Sequence, residues 1–209
     1  MVSLHDGEYA GLVYYNSSLS SLASHHQMAR VENWDELAKC VEMENRYGVD
    51  GAAMAGLVHL MAQLREQGII ADADTDGLTL TWGGETIRKL VPLIASNSGV
   101  GALLAEGVRG TAEKINKGAE RYADHVKGIH SGPDFSKDLS TVTFGNATNP
   151  RGSHGDRSIF MTDTVRTNPD AFRSNCMEIG IPEESLDRIC NGPQGYNVAR
   201  LTKWAEDFN

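Results

Sequence analysis

The stretch Asn149-Pro150-Arg151-Gly152-Ser153-His154-Gly155-Asp156-Arg157 gathers residue types that a reaction centre needs. Gly152 and Gly155 free the backbone for close approach to a ligand. Arg151 and Arg157 carry permanent positive charge suited to phosphate or carboxylate. A histidine between them titrates near neutrality, and the positive surroundings favour its neutral form. His154 is thus the candidate catalytic residue, and Arg151 a candidate for orienting an anionic group; the competing reading is a solvated loop. Ser153 beside His154 does not make a hydrolase, because neighbouring side chains in extended chain point apart and no third orienting group follows. Two further pairs, Tyr14-Tyr15 and His25-His26, are weaker signals, more often surface or packing than chemistry.

Cys40, Cys176 and Cys190 lie far apart with no CxxC pair. Local spacing therefore writes neither a closed zinc site nor a complete iron–sulfur site, and no metal ligand is assigned. An odd cysteine count without a secretory signal fits reduced thiols in a cytoplasm. The chain has 209 residues, 40% hydrophobic and 22% charged, which is ordinary globular composition. Its net charge of −9 argues against nucleic acid, whose binding rests on phosphate neutralisation. No apolar run approaches the ~20 residues of a membrane helix.

The elements that must position these residues read as mainly α-helical. The first 32 residues lack a helical period and are expected to be loop with at most a short helix. Asn33 with Glu36 marks a helix start, Leu37, Val41 and Glu44 share one face, and Gly48 ends the helix. A second helix is expected over Gly51–Gln67, with Ala53, Leu57, Leu60, Met61 and Leu64 inward and a small-residue stretch at Ala52, Ala53, Ala55 and Gly56. Asp74-Thr75-Asp76-Gly77 reads as a turn, and Leu78–Trp82 alternates as a short strand. Helices follow over Glu85–Ser96, Val100–Asn116 and Ala119–His125. Gly128–Gly155 is a long irregular segment, a pattern common at functional loops. Helices resume over Asp170–Glu178, Pro182–Cys190 and Val198–Phe208, the last running to the C-terminus without a stop signal.

Several of these stretches resemble the C-terminal part of the aldehyde:ferredoxin oxidoreductases, tungsten (rarely molybdenum) pyranopterin enzymes. They are Glu44-Asn45-Arg46-Tyr47-Gly48-Val49-Asp50, Gln67-Gly68-Ile69-Ile70, Leu103-Leu104-Ala105-Glu106-Gly107-Val108-Arg109, Tyr122–Gly128 and Ala147–His154, in the family's order over nearly the whole chain. The resemblance implies helical domains 2 and 3 of that family, with a short strand or hairpin and a long irregular segment. It divides the chain into a helical domain 1–130, like the family's middle domain, and part of a second helical domain, 131–209.

The family's pterin-binding pattern D-x-x-G-L-(D or C) falls on Asn45–Asp50, so the resemblance makes Asn45, Gly48 and Asp50 cofactor contacts, and Arg151 joins them as a cofactor-binding candidate on its charge. Gly48 and Asp50 keep their types, whereas Asn45 replaces an Asp and gives up its negative charge. Asp74–Leu78 fits the same text but lies at a turn and is read as structural. His154 falls at the family's pocket histidine. The family's Tyr-Glu pair finds only Gly7-Glu8-Tyr9-Ala10, with Ala10 at the acidic position.

The resemblance further implies a bis-pyranopterin tungsten (or molybdenum) cofactor and, in the complete enzyme, a [4Fe–4S] cluster whose cysteine ligands are not in this chain. The implied partners are the enzyme's N- and C-terminal portions, a ferredoxin-type electron acceptor and a small aldehyde or oxo substrate, with no nucleic acid and no membrane. The implied reaction oxidises an aldehyde to the carboxylate. The alternatives are an inactive helical interaction module derived from the family, or a member acting on another substrate such as an aromatic acyl-CoA. In the complete enzyme, His154→Asn is expected to lower turnover by roughly 10²–10⁴ with metal content intact, the usual range for a general acid–base group. Unchanged turnover would assign His154 to a surface loop.

Overall fold

The structure is a computed structural model that describes residues 1–15, 19–131, 169–178 and 180–186. The chain divides into two compact units, Met1–Pro133 and Asp134–Asn209, each taken by itself. In the first, strands β1 (Val2–Ser3) and β2 (Val13–Tyr14) pair antiparallel and are followed by α1 (Leu19–Gln27). The N-terminal residues are therefore more ordered than their missing period implies. Among those described, they bury Ser24 and His25 along with Tyr14, Leu22, Met28, Ala29 and Val31, a set whose spacing does not show as a hydrophobic stripe.

Helix α2 (Trp34–Tyr47) begins at Asn33, whose Oδ1 accepts the Glu36 N–H at 3.0 Å, and ends at Gly48 with φ +70°. Helix α3 (Gly51–Glu66) begins at Asp50, whose Oδ1 accepts the Ala53 N–H at 2.7 Å. Its Met54, Leu60, Met61 and Leu64 are fully buried, and α1, α4 (Gly84–Ala95) and α6 (Gly107–Ile115) pack around it. A Cβ on Gly56 would stand 3.2 Å from the His130 Cβ and 3.4 Å from Val108 Cγ2. The small-residue stretch of α3 thus accommodates neighbouring side chains.

Three expectations are corrected. Leu78–Trp82 alternates in burial around Leu80 but forms no strand, because no partner strand lies beside it among the described residues. Its groups bond elsewhere instead: Thr75 Oγ1 donates to the Leu78 carbonyl at 2.6 Å within the turn, and Trp82 Nε1 donates to Glu66 of α3 at 2.6 Å. The helix expected over Val100–Asn116 is two, α5 (Val100–Leu104) and α6, separated where Gly107 takes φ +75°. The helix expected over Ala119–His125 is a single 3-10 turn, Ala119–Tyr122. A hairpin follows it, β3 (His125–Val126) with β4 (Ile129–His130), turned by Lys127 at φ +54° and Gly128 at φ +92°. Two successive positive φ values make the primed turn that suits strand twist.

The Asp74–Gly77 turn is structural, as read. Asp74 accepts the Ala71 N–H at 2.9 Å, and Asp76 caps α5 by accepting the Val100 N–H. In the second unit, α7 (Pro169–Glu178) matches the helix expected there, and residues 183–186 are helical within the expected Pro182–Cys190. The rest of that helix, Val198–Phe208 and the irregular segment from residue 132 lie outside the described residues.

Helices α4 and α5 meet at backbone distance. A Cβ on Gly101 would lie 2.2 Å from the Leu93 carbonyl carbon and oxygen. Helix propensity alone favours Ala over Gly by about 1 kcal/mol. Gly101→Ala is nevertheless expected to destabilise the fold by about 1–3 kcal/mol, the usual range for overpacking, in a urea melt. A stabilised variant would show that the two helices separate without penalty.

Candidate functional site

The pterin-pattern residues fall together at the joint between α2 and α3. Glu44 carries the joint: its carbonyl accepts both the Gly48 N–H and, at 3.0 Å, the Val49 N–H. These two bonds close a left-handed helix end that only a residue tolerant of positive φ completes comfortably, hence Gly48. Asp50 then caps α3 within two residues. Asn45, Gly48 and Asp50 are all exposed, and nothing lies within 4 Å of where a Gly48 Cβ would stand.

The donors and acceptors of this strip are unevenly used. The Asn45 amide donates to the Tyr15 carbonyl at 2.8 Å and to the Val41 carbonyl at 2.7 Å. Both N–H groups are thereby committed, and the amide oxygen is left as an acceptor. Asp50 caps through Oδ1 and keeps Oδ2. Two acceptor oxygens beside an open glycine turn match the donor-rich edge of a pterin, which presents an amino group and a ring N–H. The residues present therefore fit that group.

Beneath the strip lies a pair that sequence reading passed over. His25 Nε2 stands 2.9 Å from Glu44 Oε1 and 3.0 Å from Oε2, with His25 at 0% and Glu44 at 3% exposure. Burial pushes the Glu44 carboxyl above the ordinary carboxylate range, the His25 bond opposes this, and the Asp50 charge adds to it. Removing one partner of such a buried pair costs about 3–5 kcal/mol. The sequence signals were Glu44 on one face with Leu37 and Val41, and the His25-His26 doublet, whose second member bonds the Val31 carbonyl instead.

Other candidates are placed apart. Tyr9 accepts a bond from Arg88 Nη1 at 2.9 Å, and Arg88 reaches Glu36 at 3.4 Å, so Gly7–Ala10 lies at the N-terminal end of α2. Glu36 precedes Asn45 by nine residues, or about 13 Å of helix. The Glu8-Tyr9 text is thus not brought to the strip; the Tyr15 carbonyl is. His154 and Arg151 lie outside the described residues. Cys40 is buried with its thiol pushed up to about 12, chiefly by burial, which makes it inert packing. Among the described residues, no group of three His, Cys, Asp or Glu side chains is arranged to hold a metal ion. No helix of these residues is long and apolar enough to cross a membrane.

Asn45→Asp would set a carboxylate against two carbonyl oxygens. It is expected to lower stability at neutral pH by about 0.5–1.5 kcal/mol, the net worth of an ordinary hydrogen bond, and by more than Asn45→Ala, which adds no charge. Equal losses in the two variants would show that the amide donors do not hold Tyr15. The departure at 45 leaves the wider similarity intact. An aliphatic sulfonate oxidoreductase, WOR-like subunit, from Pyrococcus furiosus is 38% identical over 105 residues, 44% of this chain and 17% of that protein. The active-site complex of a benzoyl coenzyme A reductase, solved with 1,5-dienoyl-CoA, superposes with a TM-score of 0.68 at 20% identity. That match covers 95% of this chain and 32% of the other, so the chain spans a third or less of the length of these relatives. Residues 2–209 match the family model for domains 2 and 3 of aldehyde ferredoxin oxidoreductase, and the chain belongs to that oxidoreductase family.

Proposed function

We propose that this chain forms one wall of a tungsten (or molybdenum) pyranopterin site in an oxidoreductase that converts an aldehyde or oxo group to the carboxylate. Asn45 Oδ1 and Asp50 accept hydrogen bonds from the pterin edge, while the Gly48 turn leaves room for its plane. Arg151 orients an anionic group, and His154 holds or delivers a proton near the substrate. Bound there, the metal and its pterins supply the two-electron exchange with substrate. A [4Fe–4S] cluster held elsewhere in the complete enzyme would supply single-electron transfer to a ferredoxin-type acceptor. A cytoplasmic setting suits Cys40, a buried free thiol.

The observation that carries this reading is the exposed α2–α3 joint, where the family's pterin pattern coincides with a glycine turn flanked by acceptor oxygens. A second reading keeps the site and changes the substrate, to an aromatic acyl-CoA or another non-aldehyde. It is favoured by Glu8-Tyr9-Ala10, which lacks the acidic residue and binds Arg88 away from the strip. The names of the two relatives, one acting on sulfonates and one on a coenzyme A thioester, point the same way.

The test is metal and pterin analysis of the purified enzyme containing this chain, wild type beside Asp50→Asn. Asn caps a helix as well as Asp, so stability should change by less than about 0.5 kcal/mol. Loss of a charged acceptor worth about 1.5–3 kcal/mol should cut pterin retention roughly tenfold or more. Wild-type protein without metal or pterin would favour the inactive helical module. Full retention in Asp50→Asn would remove Asp50 from the site.

A further inference from the structure

Helix α1 packs along α3 and also touches α2, while α3 grows directly out of the joint that ends α2. His25 projects from α1 and bonds both oxygens of Glu44 at 2.9 and 3.0 Å. The backbone carbonyl of that same Glu44 receives the Gly48 and Val49 N–H groups. α1 therefore contacts both α2 and α3, and those two helices are joined to each other at 48–50. The corner of this arrangement is Glu44, with a side chain fixed from one side and a carbonyl fixing the joint on the other.

We propose that His25 and Glu44 are the positioning pair of the 45–50 joint, holding Asn45, Gly48 and Asp50 at the spacing that receives a pterin edge. The proposal rests on the pterin reading of that joint. Burial makes the pair effective: at 0% and 3% exposure, water offers neither partner a substitute bond. Proximity makes it specific: Glu44 and Asn45 are consecutive, and the Gly48 turn hangs from the Glu44 carbonyl. A shift of Glu44 along or around α2 carries the turn and both acceptor oxygens with it. Neither residue touches the ligand in this scheme; each acts through the joint.

Residue-resolved amide exchange on the full chain separates positioning from general support. In His25→Ala, the Gly48 and Val49 amides should exchange at least tenfold faster, with those of Leu60 and Leu64 in mid-α3 unchanged. His25→Gln restores an N–H donor of similar reach and should return protection to within about threefold of wild type. If His25→Ala does not fold, Glu44→Gln keeps the shape while weakening the bond, and should give a smaller rise confined to the same two amides. Pterin content of the purified enzyme should fall in step with the exchange rates. Unchanged exchange at Gly48 and Val49, a uniform rise that includes Leu60 and Leu64, or a loosened joint with undiminished pterin would each overturn the proposal. Failure of the pterin reading itself registers elsewhere, as a wild-type enzyme without pterin or an Asp50→Asn variant with all of it.

Discussion

A carboxylate withdrawn from water must find a donor for its oxygens or give up its charge, and Glu44 meets that demand with a single ring nitrogen. His25 Nε2 lies almost equally far from both oxygens, so the carboxylate is gripped symmetrically and little rotation remains. That grip constrains the neighbouring helices of the first unit. Helix α1 must lie close enough to α2 for the contact, and it does so by packing on α3, the most deeply buried helix. The His25–Glu44 contact thus adds one polar constraint to the apolar packing that gathers the helices round the core.

Helix punctuation was the most legible part of the fold. Asn33 and Gly48 act through bonds to residues three or four positions away, so their meaning is local and readable from spacing, whereas the cap that Asp50 gives α3 emerged only in the structure. The joint was legible for the same reason, because its pterin pattern is also a helix stop followed by a helix start. His25–Glu44 was not, since the partners stand 19 residues apart and each looks like an ordinary polar position on its own helix. Glu44 was placed correctly on the buried face, yet nothing local said what would neutralise it. Leu78–Trp82 failed the other way. Its alternation reported burial truthfully, but a strand also needs a neighbour, and alternation carries no information about neighbours.

The departure at position 45 has a local cause. A carboxylate in the family pattern accepts bonds, whereas here the chain at Tyr15 and the α2 backbone at Val41 both present carbonyl oxygens to this side chain. The Asn45 amide lies between them and donates one N–H to each. The substitution and the course of the N-terminal segment therefore explain each other, and one contact remains available from the amide oxygen. The joint keeps its acceptor character while trading a fixed charge for a structural tie.

Both ties between the N-terminal segment and α2 are short in sequence, spanning 19 residues for His25–Glu44 and 30 for Tyr15–Asn45. Contacts of short span close early because little chain entropy is lost in forming them. During synthesis the two partners of each tie leave the ribosome before any residue of α4, α5 or α6. The α2–α3 corner can thus take shape while the chain is still nascent, and the later helices assemble onto a corner already drawn.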